Sequence, residues 1–344
     1  MGTGRETKQN KIVTPELLEQ VNKQNKELVK DFLMYLRSID RSETTVEAYR
    51  QDLNIIMVFL LQYCDNRFFV DMTKRDIIKF QNWLIEDHGN SPARIRRLKA
   101  VVSSMSNYVE NVLDDEYPNY RSIVKKIESP VNTPVREKTV MTEEECRMIA
   151  DTLVERGEIE KACMFSLADN SGRRKSELVR FKTSYFEDEN VLYGSLYRTP
   201  EKVKSKGRGK QGKMLNFYVL KKNFDPYLKL WLEERKKRGI DSEWLFPDHD
   251  DPSEHVDASL LNSWAKTFSK ILGKPFYWHA LRHRFTTKLS EAGIPDEVIQ
   301  NIIGWQSREM VSIYLDKDET AELGKYFKDG EIIAAQQGSL SSLG

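Results

Sequence analysis

Cysteine is scarce in this chain. There are three in 344 residues, Cys64, Cys146 and Cys163, and no C-x-x-C pair among them. An odd number at such spacing argues against a disulfide framework or a zinc site, and it fits a reducing compartment. Long apolar runs are also missing. Stretches such as IIMVFLL from Ile55 fall far short of the ~20 residues a membrane helix needs. The opening MGTGRETKQNK is polar and leads into no apolar segment, so no secretory signal is expected, and Glu6 stands where myristoylation wants serine or threonine. The expected location is the cytoplasm, with no membrane contact. Net charge is only +1, which excludes a globally basic nucleic-acid coat.

The near-neutral average hides a local patch. Between Arg198 and Lys213 lie seven basic residues (Arg198, Lys202, Lys204, Lys206, Arg208, Lys210 and Lys213) against one acid, Glu201. A block of this kind on a short loop reads as a phosphate-contacting element. Gly207 and Gly212-Lys213 within it nearly spell a nucleotide-binding loop. Met214 then replaces the required serine or threonine, and a strand-like run follows where a helix should begin.

The length predicts about two domains. In the first third, Thr44 and Glu47 read as a capping box before an apolar periodicity through Val46, Tyr49, Leu53, Ile56, Leu60 and Tyr63. Ser91-Pro92 is an N-cap with proline at the first helical position, and Ile95, Leu98, Val102, Met105 and Val109 follow as one stripe. Arg94, Arg96, Arg97 and Lys99 crowd the start of that helix. With helices around Leu28–Leu36 and Ile77–Leu84, the expectation is a four-helix bundle.

The proline-containing stretch ESPVNTPVREK, from Glu128 to Lys138, reads as a linker. A second capping box, Thr142 to Glu145, restarts helix. Strand-like runs at Val191–Tyr197 and Met214–Val219 flank the basic patch, predicting a β-hairpin with a long cationic loop. Helices are expected around Pro226–Lys237, Ala258–Leu272 and Ala280–Glu291, with one more between Pro295 and Gly304. The expected domains are a polar segment 1–14, a helical domain 15–128, a linker 129–140, an α+β domain 141–328 and a weakly ordered tail 329–344. The fold class is mainly α with a small β-hairpin or sheet.

Four separated motifs carry the chemistry: SGRRKSEL from Ser171, HALRHR from His279, Gly304-Trp305, and Tyr314 nine residues beyond Trp305. On a helix His279 and Arg282 share a face, so both can reach one phosphate. Arginine suits phosphate oxygens because its planar fork pairs bidentately and keeps its charge. The pair His279/His283 lacks the glutamate of an H-E-x-x-H metal site, so no metal is expected.

In this order the motifs resemble the signature of the tyrosine recombinases, the phage-integrase family, across roughly Thr142–Phe327. The resemblance implies a site-specific enzyme that cuts and rejoins double-stranded DNA through a 3′-phosphotyrosine, without cofactor or metal. The implied catalytic set is Arg174, Lys206, His279, Arg282, Trp305 and the nucleophile Tyr314, with Glu177 and His283 in support. Arg173 stands where the family usually has an apolar side chain. The hairpin lysine acting as general acid is Lys206, Lys204 or Lys210. The helical segment resembles the family's SAM-like core-binding domain, implying DNA contacts from Arg94, Arg96, Arg97 and Lys99, joined by Lys202, Lys204, Arg208 and Lys210.

The partners implied are recombination sites in duplex DNA and further copies of the chain, a dimer on one site and a tetramer in the synapse. Helix-forming residues from Asp318 to Phe327 are expected to dock on a neighbouring protomer. Too few residues precede the first helical pattern for an extra arm-binding domain. The two-domain Xer and Cre type is therefore expected, serving integration or excision of a mobile element. A resolvase of replicon dimers, a type IB topoisomerase-like enzyme and an inactive DNA-binding relative are the alternatives.

Overall fold

The structure is a computed structural model and describes residues 12–131, 141–205, 207, 212–305, 327–328 and 331–332. It divides into two compact units, Met1–Glu137 with Lys206–Lys213, and Lys138–Ser205 with Met214–Gly344.

The first unit is helical: α1 (Pro15–Gln20), α2 (Lys23–Ser38), α3 (Glu43–Tyr63), α4 (Lys74–Glu86) and α5 (Pro92–Val112). Polar residues placed just ahead of each helix start it. Thr14, Asn22, Ser42, Thr73 and Ser91 each accept a hydrogen bond from a backbone N–H in the first turn. The start of α3 therefore differs from the expected Thr44–Glu47 box. Ser42 is the cap, because its hydroxyl faces the Thr45 N–H, while Glu47 pairs with Arg50. Phe32, Leu53, Ile56, Leu60, Phe80, Leu84, Leu98, Val102 and Met105 form the core. The expected stripe of α5 is buried throughout, whereas Tyr63 at the end of the α3 pattern is exposed.

The second unit is built around α7 (Ile159–Ser171), which follows α6 (Glu143–Glu155). Every α7 residue from Ala162 to Ser171 is buried, as befits a helix surrounded by others, and it packs against α6, α9 (Lys221–Arg238) and α11 (Trp278–Glu291). The capping box Thr142–Glu145 opens α6. The short α8 (Lys175–Leu178), α10 (Leu260–Leu272) and α12 (Asp296–Ile303) complete the helices of this unit among the described residues.

The run Val191–Tyr197 is not one strand. Tyr193 and Gly194 both take positive φ, so the chain folds back as a tight hairpin of β1 (Val191–Leu192) and β2 (Leu196–Arg198). Met214–Val219 is likewise divided between β4 (Lys213–Leu215) and β5 (Tyr218–Leu220). β2 pairs with β5, Tyr197 opposite Val219, and β3 (Val203–Ser205), inside the basic patch, pairs with β4. The cationic stretch is thus partly strand.

Helix α9 begins at Lys221 rather than Pro226, because the Lys221 N–H is held by the Ser195 carbonyl. Glu331–Ile332, placed in a tail expected to be weakly ordered, pairs as a short strand with Phe327–Lys328. Phe327 is thus strand, not the end of the expected helix, whose residues 318–326 lie outside the described residues. All three cysteines are buried.

Candidate active site

The site grows from the end of α7. Gly172 caps that helix with φ +59°, and a Cβ there would come 2.6 Å from Phe285 Cδ1 on α11. Only glycine meets both demands. The turn sends the next two residues opposite ways.

Arg174, just ahead of α8, faces partly outward. Its backbone N–H donates to Glu177 Oε2 at 3.0 Å and its Nη1 to Glu177 Oε1 at 2.9 Å. Arg173 faces inward, fully buried, over the Phe217 ring. Access therefore distinguishes the neighbours: Arg174 is partly open to solvent, whereas Arg173 is sealed in the core.

Glu177 is the hub. Its carboxylate also accepts from the Ser205 hydroxyl at 2.6 Å and lies 3.9 Å from Arg282 Nη1. Burial works against its charge, but Arg173, the Ser205 hydroxyl and the Arg174 backbone hold its pKa below the ordinary carboxylate value. Ser205 escaped the sequence reading. The signal available was its place two residues past buried Val203 on alternating β3, which turns its hydroxyl inward.

Helix α11 carries the next pair, its start anchored by Trp278, whose indole N–H donates to the Leu261 carbonyl. His279 and His283, one turn apart, meet edge to face at 5.2 Å. His279 reaches solvent at its rim, but desolvation by the protein beneath it, then His283, Arg282 and Arg174, push its pKa down to about 4. The imidazole is therefore neutral at pH 7.

Arg282 is more deeply placed than its spacing alone predicts. Its side chain is 1% exposed, donating to the Gly172 carbonyl at 2.8 Å and the Ile303 carbonyl at 3.1 Å. Its guanidinium lies 5.6 Å from the Trp305 ring centre. Trp305 is buried with Phe285, Leu289, Ile299 and Ile303, so packing is part of its work. The structure thus brings together Arg174, Glu177, His279, Arg282, His283 and Trp305. Tyr314, Lys206, Arg208 and Lys210 lie outside the described residues.

Among the expected DNA contacts, Lys99 is corrected. It is buried, and its ammonium donates to Gln81 Oε1 and to the carbonyls of Ile127 and Glu128. Its flexible stem reaches back to the chain that follows α5, so Lys99 closes the domain instead of facing DNA. Arg94 and Arg97 both pair with buried Asp52, at 2.7 and 2.9 Å. Arg96 donates to the Pro130 carbonyl, and Lys202 and Lys204 are exposed. Among the described residues no cluster of metal-ligating side chains is present, and no helix is long and apolar enough to cross a membrane.

The sequence matches the phage integrase family over residues 139–321 and the N-terminal SAM-like domain of phage integrases over residues 28–119. It is 30% identical to the SPbeta prophage-derived recombinase-like protein YomM of Bacillus subtilis (strain 168), across 81% of this chain and 82% of that protein. In fold it is similar to the XerH site-specific recombinase bound to a palindromic difH substrate, with a TM-score of 0.63 at 16% identity, covering 90% of this chain and 87% of that one. A lambda integrase dimer bound to a COC′ core site aligns with a TM-score of 0.61 at 17% identity, over 93% and 85% of the two chains. The chain belongs to the phage integrase family, the tyrosine recombinases, and is by class a site-specific recombinase.

Proposed function

We propose that this protein cuts and rejoins duplex DNA at specific sites through a 3′-phosphotyrosine on Tyr314, integrating or excising a mobile element. The observation that carries the reading is the junction at Glu177. One buried carboxylate orients Arg174 and stands beside Arg282, while neutral His279 sits on the same helix as Arg282.

Phosphoryl transfer is chiefly a matter of positioning and charge stabilisation. Arg174 takes a nonbridging oxygen of the scissile phosphate, and Arg282, kept on its two carbonyl partners, supplies the second positive charge. The phenol of Tyr314, with a reference pKa near 10, passes its proton to His279 as its oxygen bonds to phosphorus. The 5′-oxygen leaves, taking a proton from the hairpin lysine, Lys206 or its neighbours Lys204 and Lys210. Attack by a 5′-hydroxyl reverses the step. The phosphodiester's energy is kept in the protein–DNA bond, so the cycle asks for no nucleotide.

Exposed Lys202 and Lys204, together with Arg208, Lys210, Arg94, Arg96 and Arg97, would neutralise backbone phosphates. The expected assembly is a dimer on one site and a tetramer in synapsis. Likeness to a prophage-derived protein favours a mobile-element role over replicon resolution.

The test is a nicked substrate that traps the covalent intermediate, carrying the element's own ends. The wild-type chain should yield a protein–DNA adduct, and Tyr314→Phe should bind equally and yield none. Adduct persisting in Tyr314→Phe, or mapping to Tyr326, overturns the assignment.

A further inference from the structure

The carboxyl end of α12 is held in an unusual way. A helix leaves its last carbonyls without intrahelical partners. Here Gly304, at φ +80°, turns the chain, and the N–H groups of Gly304 and Trp305 both return to the Gln300 carbonyl, at 2.8 and 3.0 Å. The last two carbonyls of the helix are met by guanidinium groups from two other elements. Arg173 Nη2 donates to Ile302 O, and Arg282 Nη2 donates to Ile303 O at 3.1 Å. Two cations at a helix carboxyl end also oppose its dipole favourably.

We propose that Arg173 is a positioning residue which, jointly with Arg282, clasps the end of α12 and so fixes the point from which the chain runs on to Tyr314. The proposal rests on the recombinase reading above.

Filling space does not explain an arginine at this position. Its side chain is sealed from solvent, its Cζ 4.3 Å from the Phe217 ring centre. Its Nε and Nη1 reach no acceptor among the described residues. Burial lowers its pKa to about 10, partly offset by Glu177, so it stays charged at neutral pH. An apolar side chain of similar volume is often as stable as a buried ion, or more so.

An apolar group cannot tie the Ile302 carbonyl to the Gly172–Arg174 turn. That turn does three things at once. The Gly172 carbonyl accepts from Arg282, Arg173 holds α12, and Arg174 pairs with Glu177. The Arg174–Glu177 pair and the end of α12 are thereby held by one short piece of backbone.

The experiment compares Arg173→Met and Arg173→Lys with the wild-type full chain in two assays. Hydrogen exchange across residues 300–305, without DNA, should accelerate at least tenfold in Arg173→Met and return to within about threefold of wild type in Arg173→Lys. Single-turnover cleavage of the nicked substrate should fall at least tenfold in Arg173→Met, with DNA affinity within about twofold, and largely recover in Arg173→Lys. A merely space-filling role would leave Arg173→Met active, or would impair both variants alike, and either result overturns the proposal. So does unchanged exchange in Arg173→Met.

If Arg173→Met does not fold, Arg173→Lys decides alone: full cleavage despite fast α12 exchange overturns the clasp, and parallel, partial effects on both support it. A wild-type chain that never forms adduct fails the recombinase reading instead. The DNA-free exchange result then still judges the clasp.

Discussion

Replacing Glu177 with alanine should strongly destabilise the second unit. Four groups face that carboxylate: the Arg174 N–H at 3.0 Å, Arg174 Nη1 at 2.9 Å, the Ser205 hydroxyl at 2.6 Å and Arg282 Nη1 at 3.9 Å. Removing one partner of a buried ion pair costs about 3–5 kcal/mol. At roughly 2–4 °C per kcal/mol for a domain of this size, the melting temperature should fall by about 6–20 °C. Glu177→Gln keeps the volume and one acceptor oxygen but turns an NH2 group on a backbone donor, so it should cost less, about 1–3 kcal/mol.

Calorimetry of the three full chains across pH provides the assay, and the sign follows from linkage. The folded pKa of Glu177 is held below its unfolded value. Its contribution is therefore complete above the unfolded pKa, about 4.3, and fades as pH falls through the folded value. The wild-type advantage over Glu177→Ala should be constant from pH 7 to about 5 and narrow below about 4. An alanine variant melting within about 2 °C of wild type at pH 7, or a gap that widens on acidification, would refute the hub.

Three further outcomes follow from the same geometry. The His279 imidazole, followed by NMR in DNA-free protein, should titrate near 4 rather than its usual 6.5, so the stability its neutral form requires is lost as pH falls from 6.5 toward 4. A midpoint at 6.5 contradicts the crowding described. Gly172→Ala forces a side chain into a left-handed turn, costing about 1–2 kcal/mol, and drives a Cβ to 2.6 Å from Phe285. It should lower both melting temperature and cleavage, and an unchanged melting temperature would show that the turn tolerates a side chain. Lys204→Met should reduce the salt dependence of DNA binding by about one counterion, whereas Lys99→Met should cost stability and leave that slope alone. A slope change from Lys99→Met would return it to the DNA face.

The helices were legible because their signals are local. Ser91-Pro92 and Thr142–Glu145 carry their own capping chemistry, and the α5 stripe repeats at helical spacing. That Arg174, Glu177, His279 and Arg282 draw together was legible because their motifs keep fixed intervals. The rest depended on groups distant in sequence. Ser42 outranked Thr44 as a cap through one backbone geometry. The split of Val191–Tyr197 needed positive φ at Tyr193, a bulky residue that gives no turn signal. The burial of Lys99 depended on carbonyls 28 and 29 residues away. Arg173 and Arg174 cannot be ranked for access by composition, since one backbone turn sends one into the core and its neighbour toward solvent.

The burial of the three thiols has a practical consequence. Alkylating reagents attack the thiolate, and desolvation pushes Cys64 up to about 11, Cys146 higher still, and Cys163 well above the ordinary thiol value. At neutral pH the native chain should be nearly inert to maleimide. A cysteine introduced at Tyr193, 94% exposed on the β1–β2 turn, would then carry a dye alone, with no prior removal of native cysteines. Fluorescence could report each protomer's arrival on DNA in an otherwise unaltered enzyme.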